Sequence, residues 1–176
     1  PSNPHVLNNL ACALTSLERC SESLEILQRT VQLAPEMATA YNNLGNAYRF
    51  LGRYEEALES FSKAIQLAPE LAYLYNNLGL TYRALDRCQS AIEAFHKALQ
   101  IQPDLHQVYS NLIEAHRHAG QIQQAINCSR EALSINDKIP EIWASYGDAL
   151  RDGGYLDAAI ETYIQAVSFR MDEHSS

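Results

Sequence analysis

Apolar residues recur along the chain with the spacing of a buried helix face. In segment 38–51 they fall at i, i+3, i+4 and i+7, which indicates one helix: Tyr41, Leu44, Gly45 and Tyr48. A second helix follows with its own face: Ala57, Leu58, Phe61, Ala64 and Ile65. Gly52, between the two, can adopt the left-handed conformation that ends a helix. The pattern predicts a hairpin of two helices, each of about 14 residues.

This hairpin pattern recurs every 34 residues. The letters YNNLG at 41–45 reappear at 75–79, and related letters stand at 7–11, 109–113 and 143–147. Five units follow: 4–37, 38–71, 72–105, 106–139 and 140–173. One hairpin cannot bury its apolar face alone, so we expect the units to stack into a single all-α solenoid array.

The junctions between units share a proline, followed by an acidic residue. The prolines are Pro35, Pro69 and Pro103, and the acids are Glu36, Glu70 and Asp104. We expect each proline to open the next helix and each acid to stabilise that helix N-terminus, which is a structural role. The residues equivalent to Gly52 are Glu18, Asp86, Gly120 and Gly154.

These positions resemble the tetratricopeptide repeat (TPR). Its eight signature positions are filled in the second unit by Tyr41, Leu44, Gly45, Tyr48, Ala57, Phe61, Ala64 and Pro69. The third unit fills them again with Tyr75, Leu78, Gly79, Tyr82, Ala91, Phe95, Ala98 and Pro103. The resemblance covers nearly the whole chain and implies a right-handed superhelix whose first helices line a concave groove.

The fourth unit departs from this signature at Ile113, His116, Ser129 and Asp137. We hypothesise that Ile113 fills volume vacated at Ser129, because cores tolerate compensated swaps better than single ones. His116 is interpreted as a core substitute. It does not form a metal pair with His118, because residues two apart on a helix point to different faces.

The two ends of the chain suggest a longer parent. Pro1 lies 34 residues before Pro35, so we expect the chain to begin at a repeat boundary of a longer protein. The last helix is predicted from Tyr155 to about Phe169, with no polar capping helix after it. Either the parent continues, or the exposed repeat ends pack on another molecule and form a homo-oligomer.

The candidate ligand-binding surface is the face of the first helices opposite their apolar side. Positions are numbered 1 to 34 within each unit, so that position 1 is residue 4, 38, 72, 106 or 140. An asparagine row occupies position 6, with further asparagines at positions 5 and 9, and an arginine row occupies position 12 from the second unit onwards, after Thr15 in the first. Tyr73 and Phe50 are candidate stacking residues. The full predicted groove set is Asn9, Asn42, Asn43, Asn46, Asn76, Asn77, Asn111, Arg49, Arg83, Arg117, Arg151, Tyr73 and Phe50.

Each row has two interpretations. An amide can donate to and accept from a peptide backbone, but it can also bridge neighbouring helices. A guanidinium can bind a ligand carboxylate, or it can pair with nearby acids, here Glu114, Asp148 and Asp152. The sequence leaves both questions open.

Two known TPR groups bear on the groove. The position-6 asparagines are similar to those of the TPR arm of O-linked N-acetylglucosamine transferases, which implies peptide-backbone contacts and fails at Ser145. The chaperone-binding group requires three cations, and this chain has Asn42, Gln107 and Asn111 at those positions. That second resemblance is therefore rejected.

Composition excludes several functions. The net charge is −8, from 13 basic and 21 acidic residues, which is unfavourable for binding nucleic acid. No apolar run reaches the roughly 18 residues of a membrane span. The cysteines, Cys12, Cys20, Cys88 and Cys128, match no metal spacing, and we interpret them as free thiols in a reducing, cytoplasmic setting. Catalytic and phosphate-binding motifs are absent, so no cofactor is expected.

The predicted function is a non-catalytic interaction module or scaffold. Its partner would be an extended peptide or a helix bound in the concave groove. The first alternative is the substrate-recruiting arm of a larger enzyme such as a glycosyltransferase. The second alternative is a scaffold that assembles through its repeat ends.

Overall fold

The computed structural model describes residues 3–173, so Pro1 lies outside the described residues. These residues form ten α-helices, and none of them lies in a strand. The helices are α1 Pro4–Ser16, α2 Cys20–Leu33, α3 Ala38–Phe50, α4 Tyr54–Leu67, α5 Ala72–Ala84, α6 Cys88–Ile101, α7 His106–His118, α8 Ile122–Ile135, α9 Pro140–Asp152 and α10 Leu156–Glu173. The predicted all-α, superhelical repeat fold class is confirmed. The last helix continues four residues beyond the predicted Phe169.

The chain divides into two compact units, Pro1–Asp86 and Arg87–Ser176. The first unit contains α1 to α5, and the second contains α6 to α10. The boundary falls inside the third hairpin, so each unit contains whole interfaces between neighbouring repeats. The single array predicted from the sequence stays a prediction.

The left-handed residues that end the first helices lie where the sequence predicts them. Gly52, Gly120 and Gly154 have φ of 72°, 70° and 81°. Glu18 and Asp86 adopt the same conformation, with φ of 59° and 58°, although side chains disfavour it. After the left-handed residue the chain turns into the second helix. In the turn between α3 and α4, the N–H of Arg53 donates to the carbonyl of Tyr48 at 2.9 Å.

The prediction that the repeat prolines open helices is wrong. Pro35, Pro69 and Pro103 lie in turns, three residues before α3, α5 and α7 begin. Proline disfavours the helical backbone conformation at the residue before it, so each preceding helix ends before its proline. In the first such turn, the N–H of Met37 donates to the carbonyl of Ala34 at 3.1 Å.

The acidic residues after those prolines are also misplaced by the prediction. Glu36, Glu70 and Asp104 lie in the same turns, and the first turns of α3, α5 and α7 contain no acid. Only Pro4 and Pro140 occupy the first position of a helix within the described residues.

Close packing within the hairpins depends on position 8 of each unit. A Cβ built on Gly45 would lie 2.7 Å from the Phe61 ring, and one on Gly147 would lie 2.6 Å from the Tyr163 ring. In the fourth unit, Ile113 and Ser129 hold the equivalent positions, and both are fully buried. This arrangement agrees with the hypothesis that their sizes compensate.

The first helices lie on the inner side of each unit. In the first unit α1 contacts α3 and α3 contacts α5, whereas the described parts of α2 and α4 do not touch. In the second unit α7 contacts α9, whereas the described parts of α8 and α10 do not touch. Within each unit the first helices therefore pack more closely on one another than the second helices do, and we call the side that they line the inner face.

Candidate functional site

A cleft of about 360 Å³ opens on the inner face of the first unit. It is lined by residues of α1, α3 and α5: Cys12, Thr15, Ser16, Asn43, Asn46, Arg49, Phe50 and Asn77. Five of the predicted groove residues therefore meet at one place: Asn43, Asn46, Asn77, Arg49 and Phe50. Sequence reasoning missed the contribution of Cys12, Thr15 and Ser16, which lie on α1 at the corresponding helix positions.

The asparagines form a ladder that joins neighbouring repeats. Asn43 donates from Nδ2 to Oδ1 of Asn8 at 2.9 Å, and Asn77 donates to Oδ1 of Asn42 at the same distance. Asn42 in turn donates to Oδ1 of Asn43 at 3.2 Å. Asn8 and Asn42 are buried, so the position-5 amides accept between the helices. The bridging interpretation therefore describes Asn42. This predicted groove residue does not line the cleft but bonds Asn43 and Asn77, which do.

Arg49 is the charged group of the cleft. Its Nε is buried and has no hydrogen-bond partner, and Nη2 donates to Oδ1 of Asn46 at 3.5 Å. Its guanidinium carbon lies 5.1 Å from the centre of the Phe50 ring. Burial lowers the pKa of Arg49, and the charge of Arg83 lowers it further although Tyr54 opposes the shift. An arginine nevertheless stays protonated, so a positive charge lies beside neutral amides.

The arginines of the second unit have a different environment. Arg117 pairs with Asp152 at 2.7 Å and with Asp148 at 3.1 Å. Arg151 pairs with the same two carboxylates, at 3.2 Å and 3.1 Å. Arg117 holds the pKa of Asp152 below its usual range, first through their hydrogen bond. The ion-pairing interpretation therefore describes these two arginines.

A signal for this difference is present in the sequence. Position 9 carries Cys12, Asn46 and Leu80 in the first three repeats but Glu114 and Asp148 in the last two. Asp148, at position 9, pairs with Arg151 one turn later on its own helix and also with Arg117 of the preceding repeat.

The remaining predicted groove residues of the first unit do not line this cleft, and Asn111 lies in the second unit. Asn9 is exposed on α1, and Tyr73 is 40% exposed in the first turn of α5. Burial raises the pKa of Tyr73, and Glu70 adds to the shift. Three others are half-buried and have partners of their own: Asn76, Arg83 and Asn111.

No described group of His, Cys, Asp and Glu side chains could hold a metal ion. His116 is buried, and its Nδ1 lies 2.7 Å from Oε1 of Gln121, as expected for a core substitute. Among the described helices, none is both long and apolar enough to cross a membrane.

Solved structures share this architecture. MamA from Desulfovibrio magneticus RS-1 superposes with a TM-score of 0.83 at 15% identity over 96% of each chain. YrrB, a TPR protein, gives 0.74 at 19% identity over 97% of this chain and 88% of its own. The thermophilic TPR protein TTC0263 from Thermus thermophilus gives 0.73 at 21% identity over 98% of both chains. At these identities the likeness shows the fold alone.

Sequence comparisons extend this result. No curated protein sequence matches the chain. Three tetratricopeptide-repeat family models match it, at residues 5–34, 36–104 and 140–170. The segment between the last two matches holds the fourth repeat, with its departures at Ile113, His116 and Ser129. Because these matches cover most of the chain and the matched residues fall on the described helices, the chain belongs to the tetratricopeptide-repeat family.

Proposed function

We propose that the inner face of the first unit binds an extended peptide and that Arg49 holds a carboxylate of this peptide. As a TPR protein the chain is an interaction scaffold, of a family that is generally non-catalytic. YrrB, which shares the fold, is described as having an unusual peptide-binding site. The proposal for this chain rests on its own cleft.

The observation that carries the proposal is the state of Arg49. Its Nε is buried without a hydrogen-bond partner, and no described carboxylate forms an ion pair with it. A buried donor without a partner costs roughly 1–3 kcal/mol, and because Nε is shielded from solvent, a ligand acceptor recovers this cost only when the side chain turns to expose it. A carboxylate is the acceptor that fits a guanidinium, because both are planar and can form two parallel bonds.

The rest of the cleft suits a peptide. The amides of Asn43, Asn46 and Asn77 line it and can pair with backbone N–H and C=O groups whatever the peptide sequence. Phe50 is 63% exposed and offers an apolar ring beside the guanidinium. A volume of about 360 Å³ lies at the lower end for ligand pockets, so it fits one anchoring side chain and its neighbouring backbone.

The inner face of the second unit is a weaker candidate. Arg117 is only 19% exposed, and two carboxylates already neutralise it. A peptide carboxylate approaching it would meet Asp148 and Asp152. This contrast supplies a matched control within the same chain.

The test is selection from a random peptide library displayed on phage, with the wild-type chain and Arg49→Gln as separate targets. We expect wild type to enrich peptides with Asp or Glu at one fixed position, and Arg49→Gln to lose that enrichment. Arg117→Gln should select the same peptides as wild type.

Circular dichroism must first show that both variants are folded. Equal enrichment of acidic peptides by wild type and Arg49→Gln would contradict the proposal. So would loss of enrichment in Arg117→Gln alone.

A further inference from the structure

The repeat interfaces inside the two units share one construction. The second helix of each repeat packs on the first helix of the next, in the pairs α2–α3, α4–α5, α6–α7 and α8–α9. Position 3 of the receiving first helix is buried at every such interface, with exposures of 0–2%: Ala40, Leu74, Val108 and Ile142. Position 21 of the second helix is buried too, at 2–9%: Leu24, Leu58, Ile92 and Ile126.

The equivalent residues of α10 are exposed. Ile160 holds position 21 and is 57% exposed, and Val167, at position 28, is 58% exposed. Ile164 lies between them on the same face and is 61% exposed. Together with Tyr163 these residues line an apolar surface cleft of about 320 Å³.

The equivalent residues of α1 are exposed as well. Val6 holds position 3 and is 53% exposed, and Leu10, at position 7, is 47% exposed. At two interior interfaces position 7 is buried, as Leu44 at 6% and Leu112 at 1%, and at the other two it is half-buried, as Leu78 and Tyr146. Thus α1 carries the face that docks on a second helix, and α10 carries the face that receives a first helix.

One side-chain position makes the two end faces more apolar than the interior interfaces. Position 25 of a second helix is polar inside the chain, and at two interfaces it bonds a tyrosine hydroxyl of the next repeat. Gln28 bonds Tyr48 at 3.2 Å, and Arg130 bonds Tyr146 at 3.0 Å. At the ends both partners are apolar: position 25 is Ile164, and the residues equivalent to Tyr146 and Tyr48 are Leu10 and Leu14.

We propose that two copies of this chain associate head to tail, with α1 of one copy packed on the Ile160–Ile164–Val167 face of α10 of the other. The contact reproduces the geometry of an interior repeat interface. Ile164 of one copy would then contact Leu10 and Leu14 of the other, at the positions that hold the hydrogen-bonded tyrosines in those two interior interfaces. Because Ile164 and the leucines are all apolar, this contact can exclude water without leaving a polar group unpaired.

Charge permits this contact. The net charge of −8 makes copies repel one another, but α1 contains no Asp, Glu, Lys or Arg. Salt screens the long-range repulsion and leaves the apolar contact intact. Association should therefore strengthen as salt rises. Because the two faces differ, the contact is heterologous. A pair of copies therefore still has one free α1 face and one free α10 face, and further copies can add to it.

The test uses two variants of the full chain, Val6→Glu and Ile160→Glu, which each block one face. Gln165→Glu, on another side of α10, is the control with the same charge change as Ile160→Glu. Light scattering after size exclusion measures the mass over a concentration series. Circular dichroism establishes that all variants are folded.

We expect the mass of wild type and Gln165→Glu to rise with concentration, whereas each blocking variant alone stays a monomer. An equimolar mixture of the two should reach the mass of a dimer and no more, because one intact face of each kind remains. A wild-type mass that stays monomeric overturns the proposal. Dimers of Val6→Glu alone also overturn it, because they would show pairing through two α10 faces.

Discussion

At the scale of single residues, the asparagines show how one residue type takes two structural positions. At position 6, Asn43 and Asn77 line the cleft and donate to the preceding repeat, whereas at position 5 Asn8 and Asn42 are buried and accept these bonds. The bond between Asn43 and Asn8 joins α3 to α1, so it links neighbouring repeats as well as shaping the cleft.

The amide ladder should therefore contribute to folding stability. Asn43→Ala removes the donor from Oδ1 of buried Asn8, and we expect it to lower the free energy of unfolding by about 1–2 kcal/mol. Asn9→Ala, at an exposed position of α1, should change it by less than about 0.5 kcal/mol. Urea unfolding measures both.

A double-mutant cycle isolates the bond itself. Asn8→Ala combined with Asn43→Ala should cost less than the sum of the single changes, with a coupling of at least about 0.5 kcal/mol. Additive single changes would show that the ladder does not stabilise the fold.

Backbone conformation yields a second prediction at this scale. Glu18 adopts φ of 59°, where glycine is free of the steric cost that a side chain incurs. Glu18→Gly should raise the free energy of unfolding by about 0.5–1 kcal/mol. Gly52→Glu places a side chain in the same conformation with no atom within 4 Å, so it should have the opposite effect. Thermal unfolding of both variants checks the pair.

At the scale of helices, the α7–α8 hairpin reverses the sizes of two facing residues. Other hairpins place a glycine of the first helix against an aromatic residue of the second, as Gly45 and Phe61, whereas α7 has Ile113 and α8 has Ser129. Ile113→Gly should lower the free energy of unfolding by about 3–5 kcal/mol, because it opens a cavity beside buried Ser129. Ser129→Phe should also destabilise, because the phenyl ring would overlap Ile113.

The double variant Ile113→Gly/Ser129→Phe recreates the contact seen between Gly45 and Phe61. It should recover a large part of the stability lost in either single variant, as measured by urea unfolding. A double variant as unstable as the sum of its parts would show that the two sizes do not compensate.

The buried histidine of α7 makes stability depend on pH. Burial lowers the pKa of His116, the His96 charge lowers it further, and the hydrogen bond with Gln121 opposes both. The unfolded chain then binds the proton more tightly, so stability is greatest above the ordinary histidine pKa of about 6.5 and falls as the pH drops through it.

The variant His116→Tyr, with the residue found at Tyr48 and Tyr82, should reduce this loss. We expect urea unfolding to show a smaller drop in stability on acidification for His116→Tyr than for wild type. An equal drop in both proteins would assign the pH dependence to other groups.

Most of the fold could be predicted from the periodicity of the sequence. The 34-residue repeat and the 3.6-residue face placed the described helices and the left-handed turn residues, because those depend on local spacing. The proline turns were misplaced because the effect of Pro35 on the residue before it outweighs its fit to a helix start. The difference between Arg49 and Arg117 depends on contacts across repeats, which the position-12 row alone does not contain.

At the scale of the whole molecule, the two proposed surfaces respond oppositely to salt. Binding of an acidic peptide at Arg49 should weaken as salt rises, because screening reduces charge attraction. Contact between α1 and α10 of two copies should strengthen, because screening reduces repulsion between chains of net charge −8. The same salt series therefore distinguishes peptide binding from self-association.

The most direct test of the peptide-binding account is the affinity of one selected acidic peptide for wild type, Arg49→Gln and Arg117→Gln. Fluorescence anisotropy with the labelled peptide, at low and high salt, gives each dissociation constant. We predict about a tenfold or greater loss for Arg49→Gln, as for a charged hydrogen bond worth roughly 1.5–3 kcal/mol, with little change for Arg117→Gln. Equal affinity of wild type and Arg49→Gln would contradict the account.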